Sequence, residues 1–368
     1  MAEASVFVPV KRLTAFVIDV LSAVGIPAAD AEIIADVLIA SDLIGVRSHG
    51  IAHLKWYCDR IKAGLQCAVT RWTVCNETAT TAVIDGGNGM GMVVGHHAMK
   101  MALGKARQYG LGAVAVRNSS HYGIAGYYAG MAAKEEMIGI AVTNAHPSIA
   151  PTFGTEPMLG TNPIAFCAPT DEAFDFSFDA ATSIAPRGKL EVAARAGVAI
   201  PEGWVISEDG TPVTDSRDLT ALMDRKKVAL LPLGGSGELM GGHKGYGLAT
   251  MVEILSSALQ EGAFLSGLHD YDEAGHPHAL GIGHFFLAIN IEHFLPVERF
   301  RKTAGDIVRE LRASRKVPGQ EKIYTAGEKE HCIKQRVTRE GVEIPPAVQK
   351  SLRELRAELK IAGHDPGF

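Results

Sequence analysis

The 368-residue chain is 47% hydrophobic and 21% charged, so it can bury a substantial core in one large domain or in two to three lobes. Its net charge of -5 includes no long block of Lys or Arg, so we expect no nucleic-acid partner. We see neither a basic leader before an apolar core nor an apolar run of bilayer length, so we expect a cytoplasmic protein with no membrane partner. Five cysteines without a C-x-x-C pair predict free thiols that serve as packing residues.

The first predicted elements are two helices. Apolar residues recur at helical spacing over 13–24, and Gly25 ends that helix. A second helix carries an apolar face over 33–38, and its pattern fades at 44–45. The sequence "VRSHG" therefore begins where regular structure ends.

The sequence pattern changes at residue 79. From there on, short runs of β-branched residues alternate with helical segments, which is typical of βαβ units. Further strands are predicted at 163–169 and 176–179. The segment 186–243 is rich in Gly, Pro and charge and predicts loops and hairpins. A strong helix is predicted at 244–262, and the tail returns to helices with apolar faces.

Two glycine-rich segments suggest phosphate binding. Gly89, Gly91 and Gly95 follow a predicted strand in a pattern close to the dinucleotide fingerprint, although a tight strand-to-helix turn explains them equally well. The next strand ends at Arg117, which under the dinucleotide interpretation stands where a 2′-phosphate partner is expected. The second segment, "GGHKGYG", is not a P-loop, but it places Lys244 at a helix start, which suits a phosphate or a carboxylate.

Polar side chains also follow several predicted strands. His121, Asn144 and Asp179 each stand at a strand end, where ligands gather in open α/β sheets. A single residue of this kind is more often a helix cap or a satisfied surface residue, and it is their number that favours a site. Ser48, His49 and Asp179 supply the residue types of a hydrolase triad. Adjacent residues on a regular backbone point apart and no G-x-S-x-G elbow is present, which argues against a triad.

Two further alternatives stay open at this point. The segment "HDYDEAGHPHALGIGH" gathers histidines and aspartates without a fixed metal-ligand spacing, so we favour a polar excursion over a zinc or iron site and predict no metal. The second alternative is a non-catalytic binding protein, which gives no reason for several reactive residue types to gather in one chain. The members of the polar segment are His269, Asp270, Asp272, His276, His278 and His284.

Several motifs in one order resemble the type 2 malate/L-lactate dehydrogenases, a family that includes sulfolactate and ureidoglycolate dehydrogenases and diketogulonate reductase. The motifs are "SDLIGVRSHGIAHL", "RNSSHYGIAGYYA", "MLGTNPIAF", "FDAATS", "GGHKGYGLATMVEIL" and "IYTAGEKE". The resemblance implies a homodimeric oxidoreductase that uses NAD, or alternatively NADP, on a small 2-hydroxy or 2-oxo acid. A reductase of a related oxo or imino acid is the alternative.

The implied fold is α/β, a mixed-sheet three-layer dehydrogenase fold that is not a Rossmann fold, with a helical N-/C-terminal lobe. This expectation overrules the pattern at Gly89. We expect a helical lobe at 1–75 with the S-H-G motif, an α/β dinucleotide-binding region at 76–297 with an insertion near 186–240, and C-terminal helices at 298–368 that pack back on the first lobe.

The resemblance also implies roles for individual residues. His49 is the proton donor or acceptor beside Ser48, and His121 lines the same pocket and shares that role in some relatives. Asp179 either holds the imidazolium or contacts the cofactor. The substrate-binding residues would be His53, Asn144, Thr161 and Asn162. The cofactor would be held by Asp179, Ala180, Ala181, Ser183, His243, Lys244, Gly245, Ala326, Gly327 and Glu328.

His53 departs from the family pattern. Most members have Arg four residues after the motif histidine, where its guanidinium can bind the substrate carboxylate in a bidentate manner, and this chain has His53. An imidazole binds an anion electrostatically only while it is charged, so we expect KM to climb between about pH 6 and 8. The exact substrate and the choice between NAD and NADP stay open.

Overall fold

A computed structural model describes residues 4–271, 274–364 and 366–367. The helices in these ranges are α1 (Val10–Ala23), α2 (Ala28–Leu43), α3 (Leu54–Lys62), α4 (Gly91–Tyr109), α5 (Ala125–Ala133), α6 (Arg187–Ala196), α7 (Leu219–Asp224), α8 (Gly242–Ser257), α9 (Val297–Ala313), α10 (Glu328–Glu340) and α11 (Pro346–Glu358). The strands are β1 (Val6–Val8), β2 (Thr73–Glu77), β3 (Thr81–Asp85), β4 (Leu111–Ser119), β5 (Met137–Thr143), β6 (Ile164–Ala168), β7 (Phe176–Ala180), β8 (Val205–Ser207), β9 (Pro212–Val213), β10 (Val228–Leu230), β11 (Ile282–Asn290) and β12 (Val342–Ile344).

The main sheet has seven strands in the order β2-β3-β4-β11-β5-β6-β7. The pair β3 and β4 is parallel and joined through α4, and the other neighbouring pairs are antiparallel. Helices α4 and α5 pack an alanine- and valine-rich core on the sheet, and α8 also contacts β4, β5 and β11. The predicted mixed-sheet α/β fold is therefore confirmed. The βαβ units predicted for 79–143 are present as β3-α4-β4 and as β4-α5-β5, and the parallel strands of the second unit are separated by the antiparallel strand β11.

Strand β11 lies at the centre of the sheet, and the sequence pattern did not predict it. It follows directly after the polar segment, whose composition hid the apolar run that begins at Ile282. His284 within this strand is fully buried, and its two ring nitrogens bond to the hydroxyls of Thr143 and Ser119 at 2.8 Å each. Burial lowers the pKa of His284 to about 3, so it is a neutral core residue.

A separate core joins the two ends of the chain. Helices α1 to α3 pack with α11 around residues such as Phe16, Leu38 and Leu352, and β1 pairs with β12. This core places the end of α2, and with it the S-H-G motif, beside the large sheet.

The segment 186–240 forms a third small core rather than loops and hairpins alone. Strands β8, β9 and β10 make a three-stranded antiparallel sheet, and α6 and α7 pack beside it around Leu190 and Leu219. Helix α6 was missed because it is short and charged and lies between Pro186 and Gly197, and α7 was missed because its six residues are too few to show a helical period. In the described ranges no helix has both the length and the apolar character required to cross a bilayer.

The glycines at 89, 91 and 95 serve packing. A Cβ on Gly91 would lie 2.1 Å from the carbonyl oxygen of Ser120, and one on Gly95 would lie 3.0 Å from the Tyr128 ring. These close approaches explain the glycine pattern without a dinucleotide.

The guanidinium of Arg117 already has protein partners. It is bound by Asp85 at 3.1 Å and by the carbonyl of Gln260 at 3.2 Å.

All five cysteines are free thiols, as predicted. Cys58 and Cys167 are buried packing residues, and burial raises the pKa of each to about 12. The expectation that all five serve packing is wrong, because Cys67, Cys75 and Cys332 are exposed.

Candidate active site

The S-H-G motif forms two 3₁₀ turns, Arg47–His49 and Ile51–His53, which we call the 47–53 turn. Helix α2 ends at Leu43, and Gly45 then adopts a left-handed φ of 82° that reverses the chain. Helix α3 begins directly after the turn. The motif is thus a short, tightly wound connection between two helices.

Three imidazoles meet at this turn. The ring centroids of His49 and His121 lie 5.5 Å apart, those of His53 and His121 lie 5.8 Å apart, and those of His49 and His53 lie 6.1 Å apart. His121 comes from the loop after β4, so the large sheet and the helical core each contribute to this histidine cluster. The structure therefore places His53 beside both candidate acid–base residues.

Tyr57 binds His121 from α3 and fixes its ring. The Tyr57 hydroxyl lies 2.5 Å from Nδ1 of His121, and the N–H of Gly123 donates to the same nitrogen at 3.4 Å. Burial raises the pKa of Tyr57, which keeps its hydroxyl protonated as a donor. With Nδ1 accepting, the proton of the neutral ring sits on Nε2.

Burial keeps the cluster uncharged. It lowers the pKa of His49 to about 4, with a smaller contribution from His53. Burial also lowers the pKa of His53, against the opposing charge of Glu191, and lowers that of His121 well below its usual value. Near pH 7 the three rings are neutral, a state in which an imidazole accepts a proton.

The Ser48 hydroxyl lies 2.9 Å from Nδ1 of His49. The argument that adjacent Ser and His side chains must point apart is therefore wrong, because the backbone here is a 3₁₀ turn rather than a regular strand or helix. Asp179 does not complete a triad, since its carboxylate accepts the N–H of Gly126 at 2.7 Å at the start of α5. Desolvation of the carboxyl group raises the pKa of Asp179 to about 6, against the opposing effect of the Gly126 N–H.

The asparagines predicted to bind substrate are buried in the core instead. The amide nitrogens of Asn144 and Asn162 donate to Glu253 of α8 at 3.3 and 2.8 Å. Asn162 also donates to the carbonyl of Ala249 at 2.9 Å, and Thr161 offers its carbonyl to the N–H of Thr182. These contacts brace α8 and do not support a substrate-binding role for the two amides.

Two of the three predicted cofactor segments lie side by side. The N–H of Leu233 donates to the carbonyl of Thr182 at 2.8 Å, so the chain before α8 runs beside Ala180, Ala181 and Ser183. A Cβ on Gly245 would lie 2.1 Å from the carbonyl oxygen of Leu233, so α8 begins directly against that chain. His243 and Lys244 are exposed there.

The third segment lies at the other end of β7. The N–H of Ser177 donates to the carbonyl of Ala326 at 3.4 Å, and a Cβ on Gly327 would lie 2.7 Å from the carbonyl of Asp175. Glu328 is buried and pairs with Lys322. These contacts give Gly327 and Glu328 local partners of their own.

Helix α6 of the small core reaches the histidine cluster. A Cβ on Gly188 would lie 3.9 Å from Cβ of Ser48, and Glu191 on the same helix acts electrostatically on His53. Because α6 follows Ser183 closely in the chain, it links the predicted cofactor segment to the 47–53 turn.

The polar segment at 269–284 has other partners. Asp270 accepts two bonds from Arg60, at 2.7 and 2.9 Å, and His269 packs edge-on against His278. Asp272 lies outside the described residues. Among the residues that the structure describes, no three His, Cys, Asp or Glu side chains are grouped to hold a metal ion.

Sequence patterns missed two residues of the site, Tyr57 and Asp42. Tyr57 reads as one more apolar position of an amphipathic helix, and its partner His121 lies 64 positions away. Asp42 and its neighbour Ser41 interrupt the apolar residues at the end of α2, and that interruption was the available signal. Its carboxylate accepts the N–H of Ile51 at 2.8 Å.

Comparisons with known proteins agree with this architecture. The family model described as malate/L-lactate dehydrogenase matches residues 8–353. A malate dehydrogenase of Pyrococcus horikoshii is 45% identical over 97% of this chain and 96% of that protein. An L-sulfolactate dehydrogenase of Methanocaldococcus jannaschii is 38% identical over 93% of this chain and 94% of that protein.

A solved structure extends the match to three dimensions. The malate dehydrogenase from Entamoeba histolytica superimposes with a TM-score of 0.93 at 44% identity, covering 97% of this chain and 99% of that one. Fold and sequence together define the class, which is an oxidoreductase of the dehydrogenase type. The chain belongs to the malate/L-lactate dehydrogenase family, and the resemblance drawn from the motifs is confirmed.

Proposed function

We propose that the protein interconverts a small 2-hydroxy acid and its 2-oxo acid with a nicotinamide dinucleotide, and that the histidine cluster exchanges the hydroxyl proton. The proposal rests on one observation, that the rings of His49, His53 and His121 lie within about 6 Å of one another. Membership of the family supports the reaction type, and relatives named for malate and sulfolactate support a small anionic 2-hydroxy acid.

The cluster offers a separate function for each ring. Neutral His49 accepts the hydroxyl proton during oxidation, because burial holds its pKa near 4 in the free enzyme. His121 presents Nε2–H and donates a hydrogen bond to the substrate oxygen, with Tyr57 holding the ring. His53 lies within reach of the same substrate and meets its carboxylate. A bound nicotinamide supplies the hydride acceptor.

The start of α8 fits the dinucleotide. Gly241 adopts a left-handed φ of 88° immediately before the helix, and a cavity there is lined by Leu233, Gly234, Gly241 and Lys244. The start of α8 has no side-chain cap, and its positive dipole end and the exposed Lys244 ammonium suit phosphate oxygens, while the apolar lining suits a flat ring. We propose NAD as the cofactor, with NADP as the alternative.

A substrate panel tests the function. Malate, lactate, sulfolactate and ureidoglycolate are each assayed with NAD and with NADP, and the corresponding oxo acids, diketogulonate and a cyclic imino acid are assayed in reverse. We expect substrate-dependent NADH formation with at least one small 2-hydroxy acid. Turnover confined to the imino acid or to diketogulonate would favour the alternative reductase, and no turnover with any pair refutes the proposal.

Lys244→Ala should weaken NADH binding about fivefold, the effect of removing about 1 kcal/mol from an exposed charge at a helix start. The value of kcat at saturating cofactor should stay near that of the parent. Fluorescence titration with NADH measures the first quantity and steady-state assays the second. Lys350→Ala is the matched control, because Lys350 is an exposed lysine on α11, away from the start of α8. An unchanged NADH dissociation constant in Lys244→Ala removes Lys244 from the cofactor site.

We propose that the protein is a homodimer, located in the cytoplasm. The outer face of α8 exposes Leu248, Met251 and Ile254 at 38%, 43% and 55%, and Leu239 before the helix is 96% exposed. These apolar side chains form a stripe that a second copy would cover, at the edge of the cavity proposed for the dinucleotide, which Leu239 and Leu248 also line. Sedimentation velocity should give twice the chain mass, and Met251→Glu should shift the protein towards the monomer. A monomeric parent refutes the dimer.

A further inference from the structure

Asp42 is a buried carboxylate that touches the middle of the 47–53 turn. Its side chain projects from the end of α2, and the residue is 4% exposed. One oxygen accepts the N–H of Ile51 at 2.8 Å. A Cβ on Gly50 would lie between 2.1 and 2.4 Å from all three atoms of the carboxylate group. The carboxylate therefore fills the space beside Gly50, at the junction of the two 3₁₀ turns.

The other backbone bonds of the turn are local. The N–H of His49 donates to Val46 at 3.1 Å, and that of His53 donates to Gly50 at 3.0 Å. Such bonds shape the turn but do not fix its position on the protein. The bond from Asp42 to Ile51 joins the middle of the turn to α2, a helix that packs in the core of the N- and C-terminal segments.

We propose that Asp42 is a positioning residue that fixes the 47–53 turn and so orients His49 and His53 for catalysis. The structural part of this inference stands on the contacts of Asp42, and its catalytic consequence rests on the proposed function. His49 precedes Gly50 and His53 follows it by three residues, so a shift of the junction moves both rings. A displacement of about 1 Å in a reacting group costs about 10²-fold in rate in the extreme case.

The acceptor oxygen, rather than the charge, is the feature required. Burial raises the pKa of Asp42 to about 7, against the opposing effects of the Ile51 N–H and of Arg47. Both the ionised and the protonated carboxyl group keep an oxygen that accepts the Ile51 N–H. Asparagine has nearly the same shape and also keeps one such oxygen, so it should replace Asp42 with little loss.

Three variants test the proposal against a matched control. Asp42→Ala removes the acceptor and leaves a buried N–H without a partner. Asp42→Asn keeps it. Gly50→Ala drives a methyl group into the carboxylate and displaces it, which serves if Asp42→Ala does not fold. Asp36→Ala is the control, because Asp36 is a carboxylate on the same helix that binds Tyr127 instead of the turn.

Two measurements separate orientation from folding. Turnover is expressed per NADH-binding site, counted by fluorescence titration, so that unfolded molecules do not contribute. Asp42→Ala and Gly50→Ala should lose about tenfold in this kcat with an unchanged NADH dissociation constant, while Asp42→Asn and Asp36→Ala stay within about threefold of the parent. Hydrogen exchange of the peptide that contains Ile51 should accelerate in Asp42→Ala and in Gly50→Ala, and not in the other two.

Unchanged exchange of that peptide in Asp42→Ala overturns the proposal, as does a kcat per site equal to that of the parent. Equal losses in Asp42→Asn and Asp42→Ala also overturn it, because the retained oxygen would then be irrelevant. A parent without dehydrogenase activity refutes the proposed function alone. Hydrogen exchange still decides whether Asp42 anchors the turn in that case.

Discussion

Replacing His49 with alanine should lower kcat for 2-hydroxy acid oxidation by about 10²-fold or more, the usual cost of removing a general acid or base. The dissociation constant of NADH should change little, because His49 lies on the 47–53 turn and not beside the start of α8. Steady-state assays and NADH fluorescence titration measure the two quantities. Loss of kcat without loss of cofactor binding identifies a group that acts in the chemical step.

The pH dependence of the parent provides a second test of the same role. Burial lowers the pKa of His49 to about 4, so the free enzyme holds the neutral base throughout the neutral range. Titration of His49 should therefore contribute no pH dependence to kcat/KM for oxidation above about pH 5. Reduction requires the protonated ring, so its kcat/KM should fall as pH rises above about 4. His49→Ala should lose the part of this decline that comes from His49 and keep only the pH dependence of KM that comes from His53.

His97→Ala is the control for His49→Ala. His97 is also half-buried, but it lies on α4, outside the histidine cluster. Its ring stacks on that of Trp72, with the two centroids 5.3 Å apart. Its replacement should leave kcat within about threefold of the parent. Near-normal turnover in His49→Ala, together with a large loss in His121→Ala, would assign the proton transfer to His121. Equal losses in both variants and in the double variant would show that the two rings act as one unit.

His53→Arg should lower KM for malate- or lactate-type oxo acids by about tenfold at pH 8, because a guanidinium stays charged where the buried imidazole is neutral. In the parent, log KM should rise with pH between the pKa of His53 in the free enzyme and its higher pKa in the substrate complex. Burial lowers the free pKa, so the rise begins below pH ~6.5 rather than at the value expected for an exposed ring. His53→Arg should give a flatter profile.

The same substitution should carry a cost in the chemical step. A fixed positive charge about 6 Å from His49 disfavours protonation of that ring, so kcat for reduction should fall while KM improves. His293→Arg is the matched control, since His293 is an exposed histidine beside Gly110 at the opposite end of the sheet. Parallel profiles of KM against pH for the parent and His53→Arg would show that His53 does not meet the carboxylate.

The sequence by itself determined the features that depend on neighbouring residues. Apolar residues at helical spacing predicted α1 and α4, and the fading of the pattern after α2 placed the S-H-G motif in irregular structure. A motif such as "RSHG" is contiguous, so its chemistry is visible without a fold. Ordered motifs along the chain were also enough to identify the family, because each one is a local string.

The tertiary structure decided everything that depends on long-range contacts. It placed β11 at the centre of the sheet, although the preceding polar segment obscured it, and it buried Asn144 with Glu253 instead of leaving it for a substrate. Tyr57 and His121 are far apart in the chain and meet because α3 lies against the loop that follows β4. One-dimensional periodicity records which face of an element is apolar, but not which element covers it. The partners of His121 and the burial that keeps the three imidazoles neutral are therefore products of packing.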